Sequence, residues 1–214
     1  KALFSPAKPY VAILGGAKVE DKIPVIENLL NKADIILIGG AMAYTFFRAQ
    51  GFETGKSLVE PDKIEVAKKI LAQAKKKNVS FMLPLDNVLT ASIESGQVAR
   101  ITDSFPFPQD LMGVDIGPKT VARYAEIIAK AKTIVWNGPL GVFETPAFAR
   151  GTLEIARAVA ASAAISIIGG GDSIAAVEKA GVSQKITHIS TGGGASLEFL
   201  ANETLPGIEA LEKK

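Results

Sequence analysis

The sequence contains no cysteine and a single histidine, His188, among 214 residues. Without cysteine the chain cannot form disulfides or thiolate metal sites, which suits a reducing cytoplasm. A lone histidine is expected to be structural rather than a metal ligand or catalytic base. The longest apolar run, from Ala158 to Ile168, is interrupted by Ser162 and Ser166. It is well short of the roughly 20 residues that span a bilayer. We therefore expect a cytoplasmic protein without a membrane partner.

An excess of charge of one sign is also lacking. Lysine and arginine number 24 against 22 aspartates and glutamates, which gives a formal net charge of +2. Because the lysines are spread over several segments, the sequence predicts no basic surface for nucleic acid. Hydrophobic residues make up 48% and charged residues 21% of the chain, as in ordinary globular proteins. This composition predicts a globular protein. We also expect a monomer.

Short apolar runs alternate with segments of helical periodicity along most of the chain. The runs end in or near glycine or proline and read YVAIL, IILI, VSFML, TIVW, ISIIG and KITHIS. This alternation predicts an α/β fold, a doubly wound, mainly parallel, Rossmann-like sheet of about six strands with helices on both faces. The first helix is predicted over about Asp21 to Leu30.

One region departs from this rhythm. Residues 86–108 alternate apolar and polar side chains around a Ser-Gly turn, which predicts a small antiparallel hairpin excursion. At the N-terminus, KALFSPAKP has the character of a helix end followed by a linker. We therefore predict an interdomain linker over residues 1–9 and one α/β domain over residues 10–214.

Glycines are concentrated where predicted strands end. In an open parallel sheet these turns lie at one edge, where backbone N–H groups and helix N-termini favour anions. For a single glycine pair, a tight turn is the simpler explanation, but four such turns at one edge favour phosphate binding. The four turns are Gly15–Gly16, Gly39–Gly40, Gly169–Gly171 and Gly192–Gly194.

Charged residues follow two of these turns. Asp172, directly after three glycines, can hold a hard cation such as Mg²⁺ through oxygen, or it can simply be the N-cap of the next helix. Lys18 and Lys22 are four residues apart, so in the predicted first helix they share a face near its positive end. An anion between them is one explanation, and a solvated lysine pair is the other.

The segment WNGPLGVFE, residues 136–144, combines a turn with apolar and acidic side chains. Val142 and Phe143 offer apolar surface for a flat ring, and Glu144 can accept hydrogen bonds from sugar hydroxyls. Two familiar nucleotide-binding motifs are absent. GFETGKS, residues 51–57, has Gln50 where the first glycine of a Walker motif would stand, and no G-x-G-x-x-G occurs at a strand end.

In that order, GGAKVEDK, IGGAMAYTF, WNGPLGVFE, IIGGGDS and HISTGGGASLEFL closely resemble phosphoglycerate kinases. The resemblance spans nearly the whole chain and covers the C-terminal, nucleotide-binding half of that family. It implies reversible phosphoryl transfer from 1,3-bisphosphoglycerate to MgADP in glycolysis, achieved by positioning and charge neutralisation. It also implies a missing partner, the N-terminal domain, whose arginines and histidine bind 3-phosphoglycerate.

The resemblance further implies roles for individual residues around the phosphates. Lys18 and Lys22 would meet the nucleotide phosphates and the transferring group. Asp172 would hold Mg²⁺, and Ser173, where many relatives have threonine, would touch phosphate. The amides that would face the developing charge belong to Gly170, Gly171, Gly193 and Gly194.

Further implied roles concern the nucleoside. The adenine slot would be formed by Gly16, Gly39, Gly40, Gly113, Val114, Pro139 and Val142. Asn137 would lie near the phosphates and Glu144 on the ribose. Two other functions stay open from the residues alone: a nucleotide-binding module without turnover, and a nicotinamide-dependent oxidoreductase, which the absent dinucleotide motif disfavours.

Overall fold

The computed structural model describes residues 6–190. Within this range nine strands are present: β1 (Tyr10–Leu14), β2 (Ile35–Ile38), β3 (Ser80–Met82), β4 (Asn87–Thr90), β5 (Arg100–Thr102), β6 (Met112–Ile116), β7 (Thr133–Asn137), β8 (Ile165–Gly169) and β9 (His188–Ser190). The same residues contain six α-helices: α1 (Ile23–Leu29), α2 (Met42–Ala49), α3 (Ile64–Lys76), α4 (Pro118–Lys130), α5 (Arg150–Ala161) and α6 (Gly171–Lys179). None of these helices is both long and apolar enough to cross a membrane.

The main sheet has six strands in the order β3-β2-β1-β7-β8-β9, and every neighbouring pair is parallel. The predicted six-stranded parallel sheet is therefore confirmed. The chain builds outward from β1 to β3 and later resumes on the other side of β1 with β7. The strand order thus reverses between β1 and β7, and ligands of such sheets bind beyond the carboxyl ends of the strands at this point.

The two faces of the sheet carry separate hydrophobic cores. In β1, the side chains of Tyr10, Ala12 and Leu14 belong to the core shared with α1, α2 and α3. Val11 and Ile13 belong to the core shared with α4, α5 and α6. Because strand side chains alternate between faces, one buried apolar strand serves both layers. The predicted covering of both faces by helices is confirmed.

The predicted hairpin is also present, within a larger unit. Strands β4 and β5 pair antiparallel, and β6 pairs antiparallel with the other edge of β4 to form a separate three-stranded sheet. The third strand was not predicted, because its sequence, MGVDI, does not alternate apolar and polar residues regularly. Strand β6 matters for the candidate functional site described below, because its residues Gly113 and Val114 line that site.

The first helix differs from its prediction. A 3₁₀ turn spans Glu20–Lys22, and α1 begins only at Ile23. Pro24 has no N–H to donate to the carbonyl of residue 20, as an α-helix beginning at Asp21 would require. Lys18 therefore precedes the helical turns and does not share a helix face with Lys22. The linker prediction rests partly on residues 1–5, which lie outside the described residues.

Candidate functional site

Two adjoining cavities lie at the carboxyl ends of β1 and β7. The first, which we call the glycine slot, has a volume of about 210 Å³ and is lined by Gly16, Ala17, Gly40, Ala41, Gly113, Val114, Pro139, Gly141, Val142, Glu144 and Asp172. The second, the lysine pocket, has a volume of about 420 Å³ and is lined by Gly16, Ala17, Lys18, Asp21, Lys22, Asn137, Gly138, Pro139, Gly170, Gly171, Asp172 and Ser173. The shared lining residues make the two cavities one elongated site.

Main-chain segments in contact form one wall of the glycine slot. The N–H of Gly16 donates to the carbonyl of Pro139 at 2.9 Å, and that of Gly40 donates to Leu140 at 2.9 Å. Gly40 has φ +67°, and a Cβ there would lie 2.6 Å from the nitrogen of Gly16. Only glycine fits this conformation and this close approach. The turns after β1, β2 and β7 therefore hold one another in place.

The opposite wall is supported from beneath by two side chains. A Cβ at Gly113 would overlap the hydroxyl group and ring of buried Tyr44. The N–H of Gly113 donates to the hydroxyl oxygen of Ser57 at 2.9 Å. With glycine at this position, the slot is lined here by backbone. A narrow slot with backbone walls suits a flat ring rather than a bulky side chain.

The rim of the slot corrects one prediction. Val142 lines the slot and Glu144 is exposed at its mouth, but Phe143 lines neither cavity. Phe143 is only 5% exposed and packs against Ala149 and Ala176. The prediction that Phe143 presents apolar surface to a ligand ring is therefore wrong, because its side chain contributes to the packing of α5 and α6.

Lys22 is the buried cation of the lysine pocket, with 8% of its surface exposed. Its Nζ donates to Oδ1 of Asn137, whose Nδ2 donates to the carbonyl of Gly169 at 2.8 Å. Burial lowers the pKa of Lys22, and the charges of Asp21 and Asp172 oppose this effect. Lys18 is exposed at the rim. The lysine pocket thus contains one buried, hydrogen-bonded lysine, Lys22, and one solvent-exposed lysine, Lys18.

The N-terminus of α6 forms the far side of the lysine pocket. The N-cap is Gly170, and Asp172 is the second residue of the helix, exposed and without a capping hydrogen bond. The alternative that Asp172 serves as the N-cap is therefore wrong. Ser173 is fully buried, and its Oγ accepts a 2.6 Å hydrogen bond from the N–H of Gly138. Its hydroxyl oxygen stabilises the turn after β7.

Asp172 lines both cavities, but residues 6–190 contain no group of three or more aspartate, glutamate or histidine side chains suited to a metal ion. A cation here would be bound by one protein carboxylate, that of Asp172. Its other ligands would come from a bound molecule or from water. Mg²⁺ bound to a nucleotide uses this kind of ligand set, since phosphate oxygens and water complete its octahedron. His188 is exposed on β9 and lines neither cavity, so it is not part of the core.

Most predicted site residues are brought together. Those that line the slot are Gly16, Gly40, Gly113, Val114, Pro139, Val142 and Glu144, and those of the pocket are Lys18, Lys22, Asn137, Gly170, Gly171, Asp172 and Ser173. Gly39 is not among them. It is buried, and a Cβ there would lie 2.6 Å from a methyl group of Leu140. Gly193 and Gly194 lie outside the described residues.

The lining also includes residues that sequence reasoning missed: Ala17, Asp21, Ala41, Gly138 and Gly141. Ala17 and Ala41 directly follow predicted glycine turns, and Gly138 and Gly141 lie inside WNGPLGVFE. Extending each turn by one residue, and counting all glycines of that segment, would have found these four. For Asp21 the sequence offers no such signal.

A family model described as phosphoglycerate kinase matches residues 1–203. The chain belongs to this family. Among curated relatives, the phosphoglycerate kinase of Acidobacterium capsulatum is 58% identical over 216 aligned positions, and that of Koribacter versatilis is 60% identical over 216. Each alignment covers 100% of this chain and 54% of the relative. The chain thus spans about half the length of these phosphoglycerate kinases.

Solved structures of phosphoglycerate kinases share the fold. The structure from Coxiella burnetii matches with a TM-score of 0.94 at 44% identity, covering 99% of this chain and 55% of that one. The structure from Pyrococcus horikoshii matches with a TM-score of 0.79 at 40% identity, covering 99% and 53%. The α/β fold observed here is therefore the fold of part of a phosphoglycerate kinase. These matches leave the nicotinamide-dependent alternative without support.

Proposed function

We propose that this chain is the nucleotide-binding half of a phosphoglycerate kinase, a monomeric glycolytic enzyme of the cytoplasm. It would bind MgADP and MgATP for reversible phosphoryl transfer between 1,3-bisphosphoglycerate and ADP. The observation that carries the proposal is the continuity of the glycine slot with the lysine pocket where the strand order of the sheet reverses. A flat base and a charged phosphate chain need two such environments side by side.

In this proposal the adenine occupies the glycine slot. Gly40 and Gly113 allow the ring to approach the backbone closely, and Val142 supplies apolar contact. Glu144, exposed at the slot mouth, accepts hydrogen bonds from ribose hydroxyls. This arrangement recognises the nucleoside through shape and a few polar contacts, as is usual for small-molecule sites.

The phosphates occupy the lysine pocket. The N-terminus of α6 directs backbone N–H groups and the positive end of a helix dipole at them, and Lys18 and Lys22 add charge. Because burial lowers the pKa of Lys22, a bound phosphate would favour its charged form. Asp172 would hold the Mg²⁺ that accompanies the nucleotide, and the chemistry supplied there would be neutralisation of phosphate charge.

Transfer itself requires positioning and charge neutralisation rather than a covalent intermediate. Asn137 holds the ammonium group of Lys22 inside the pocket, next to the amides of Gly170 and Gly171. These groups would face the oxygens on which charge develops. Gly193 and Gly194, outside the described residues, remain proposed members of the same set.

Calorimetric titration of the 214-residue chain tests this function. We expect MgADP and MgATP to bind, and NADH to bind no better than background. Asp172→Asn should remove the magnesium-dependent part of the ADP affinity and leave the fold intact, since this carboxylate is exposed and makes no capping hydrogen bond.

Asp110→Asn, at an exposed carboxylate outside both cavities, is the matched control and should bind like the unmodified chain. Equal ADP affinity of the unmodified chain with Mg²⁺ or with a chelator would overturn the metal assignment. Absence of ADP binding under both conditions would overturn the proposed function.

A further inference from the structure

Helix α6 reaches both ends of the proposed nucleotide site. Its first turn carries Asp172, which lines both cavities, and its last residue is Lys179. Nine helical residues extend over about 13 Å. The C-terminal end of this helix lies near the segment that ends WNGPLGVFE, on the ribose side of the proposed site.

Lys179 makes three contacts with that segment. Its Nζ donates to the carbonyl oxygen of Phe143 at 2.7 Å and to that of Glu144 at 3.3 Å. The same ammonium group lies 5.9 Å from the centroid of the Phe143 ring, within the range of a cation–π contact. A lysine in the last turn also interacts favourably with the helix dipole, which helps to keep it there.

The contacted segment has no regular secondary structure, so its position depends on such contacts. On one side, the N–H of Val142 donates to Val114 of β6 at 2.8 Å. The Phe143 ring is buried between α5 and α6, against Ala149 and Ala176. On the other side, Lys179 bonds the carbonyl groups of Phe143 and Glu144. The backbone from which the Glu144 side chain extends is thus held from two directions.

We propose that Lys179 is a positioning residue, which holds Glu144 at the ribose and fixes its distance from the phosphate end of α6. This inference rests on the proposed nucleotide function. Lys179 does not line either cavity, so it acts on the nucleotide through the backbone that it holds at Phe143 and Glu144. Its loss should therefore weaken recognition of the ribose hydroxyls and leave the phosphate contacts unchanged.

The test compares Mg²⁺ complexes of ADP and 2′,3′-dideoxy-ADP by calorimetry on the 214-residue chain. The unmodified chain should prefer ADP. Lys179→Met should reduce ADP affinity by about fivefold to tenfold and affect the dideoxy nucleotide much less, because the lost contacts serve the hydroxyls. Glu144→Gln should also reduce the preference for ADP, and the double variant should lose little more, since both changes remove one interaction.

Two further variants separate positioning from general stability. Lys179→Arg retains charge and donors and should recover most of the ADP preference. Lys130→Met removes an exposed lysine from the last turn of α4, away from both cavities, and should leave both affinities unchanged. If Lys179→Met does not fold, Lys179→Arg carries the test. This variant should keep the ADP preference of the unmodified chain, and a loss of that preference would contradict the proposal.

An unchanged ADP preference in folded Lys179→Met, beside a clear preference in the unmodified chain, would overturn this inference while leaving the nucleotide function standing. Equal losses for both nucleotides would also overturn it, because a merely structural role lowers every affinity together. Failure of the unmodified chain to bind either nucleotide would overturn the proposed function itself, and with it the role of Lys179.

Discussion

The carboxyl group of Asp115 lies directly behind the glycine slot, one residue after Val114 on β6. It is 2% exposed and accepts hydrogen bonds from the N–H groups of Gly151 at 2.6 Å and Ile116 at 2.9 Å. A Cβ at Gly141 would overlap it, so the carboxyl packs against the turn that forms the slot rim. Burial raises the pKa of Asp115 to about 7, although both hydrogen bonds oppose this shift.

This raised pKa predicts a pH-dependent stability. Between about pH 4 and about pH 7 the unfolded chain releases the Asp115 proton while the folded chain retains it, so the contribution of Asp115 to stability falls as pH rises. The whole fall amounts to at most about 4 kcal/mol and levels off above the folded pKa. Urea unfolding of the unmodified chain and of Asp115→Asn measures this effect across the same pH range. The difference between their free energies of unfolding should shrink or reverse as pH rises. A difference independent of pH would contradict the prediction.

Helix α4 shows how an element depends on a residue far away in sequence. Both carboxylate oxygens of buried Asp86 accept hydrogen bonds at its N-terminus, from the N–H of Lys119 at 3.0 Å and that of Thr120 at 2.8 Å. The hydroxyl of Thr120 also donates to it at 2.7 Å. The Asp86 carboxylate thus caps the N-terminus of α4, although Asp86 is distant from this helix in sequence.

Asp86→Ala should therefore destabilise the fold by about 2–3 kcal/mol, because it removes the carboxylate that accepts from the N–H groups of Lys119 and Thr120 at the start of α4. Asp103→Ala is the matched control. Asp103 contacts the same first turn, through a 2.5 Å ion pair with the Lys119 side chain, but both groups are exposed. Its loss should cost less than about 1 kcal/mol. Chemical denaturation measures both values, and similar losses for the two variants would argue against the capping role.

For the whole molecule, the proposed site faces solvent along one edge of the sheet. Ala17, Lys18, Glu144, Gly171 and Asp172 are all exposed there. The five arginines of the chain lie in α2, β5, α4 and α5, and none lines the glycine slot or the lysine pocket. The lining of the proposed nucleotide site therefore contains no arginine that could hold a phosphorylated acid.

We therefore expect this chain alone to bind nucleotide without measurable 3-phosphoglycerate kinase activity. A phosphorylated acid that is not held in place loses the rate advantage of positioning. In favourable cases this advantage lowers the reaction barrier by roughly 7–11 kcal/mol. A coupled assay measures turnover of the chain alone, and again with the separately purified N-terminal half of a phosphoglycerate kinase. Activity should appear only on mixing, and Asp172→Asn should reduce it. Robust turnover by the chain alone would reveal an acid site that the described residues do not suggest.

The sequence by itself determined the alternation of strands and helices, the parallel sheet and the glycine turns at its edge. These are local properties, because side-chain period and backbone conformation depend on a few neighbouring residues. The motifs from GGAKVEDK to IIGGGDS also determined the family, and most of the residues that line the two cavities.

Only the tertiary structure decided which side chains face the site. Phe143 is buried while Val142 lines the slot, and Lys22 is held by Asn137, 115 residues later in sequence. Ser173 uses its hydroxyl oxygen for a turn 35 residues earlier. These outcomes depend on how α5, α6 and β6 pack against the main sheet, and on hydrogen bonds between segments that no local pattern connects. Burial and partnership are properties of the packed molecule, so they appear only once its layers are in place.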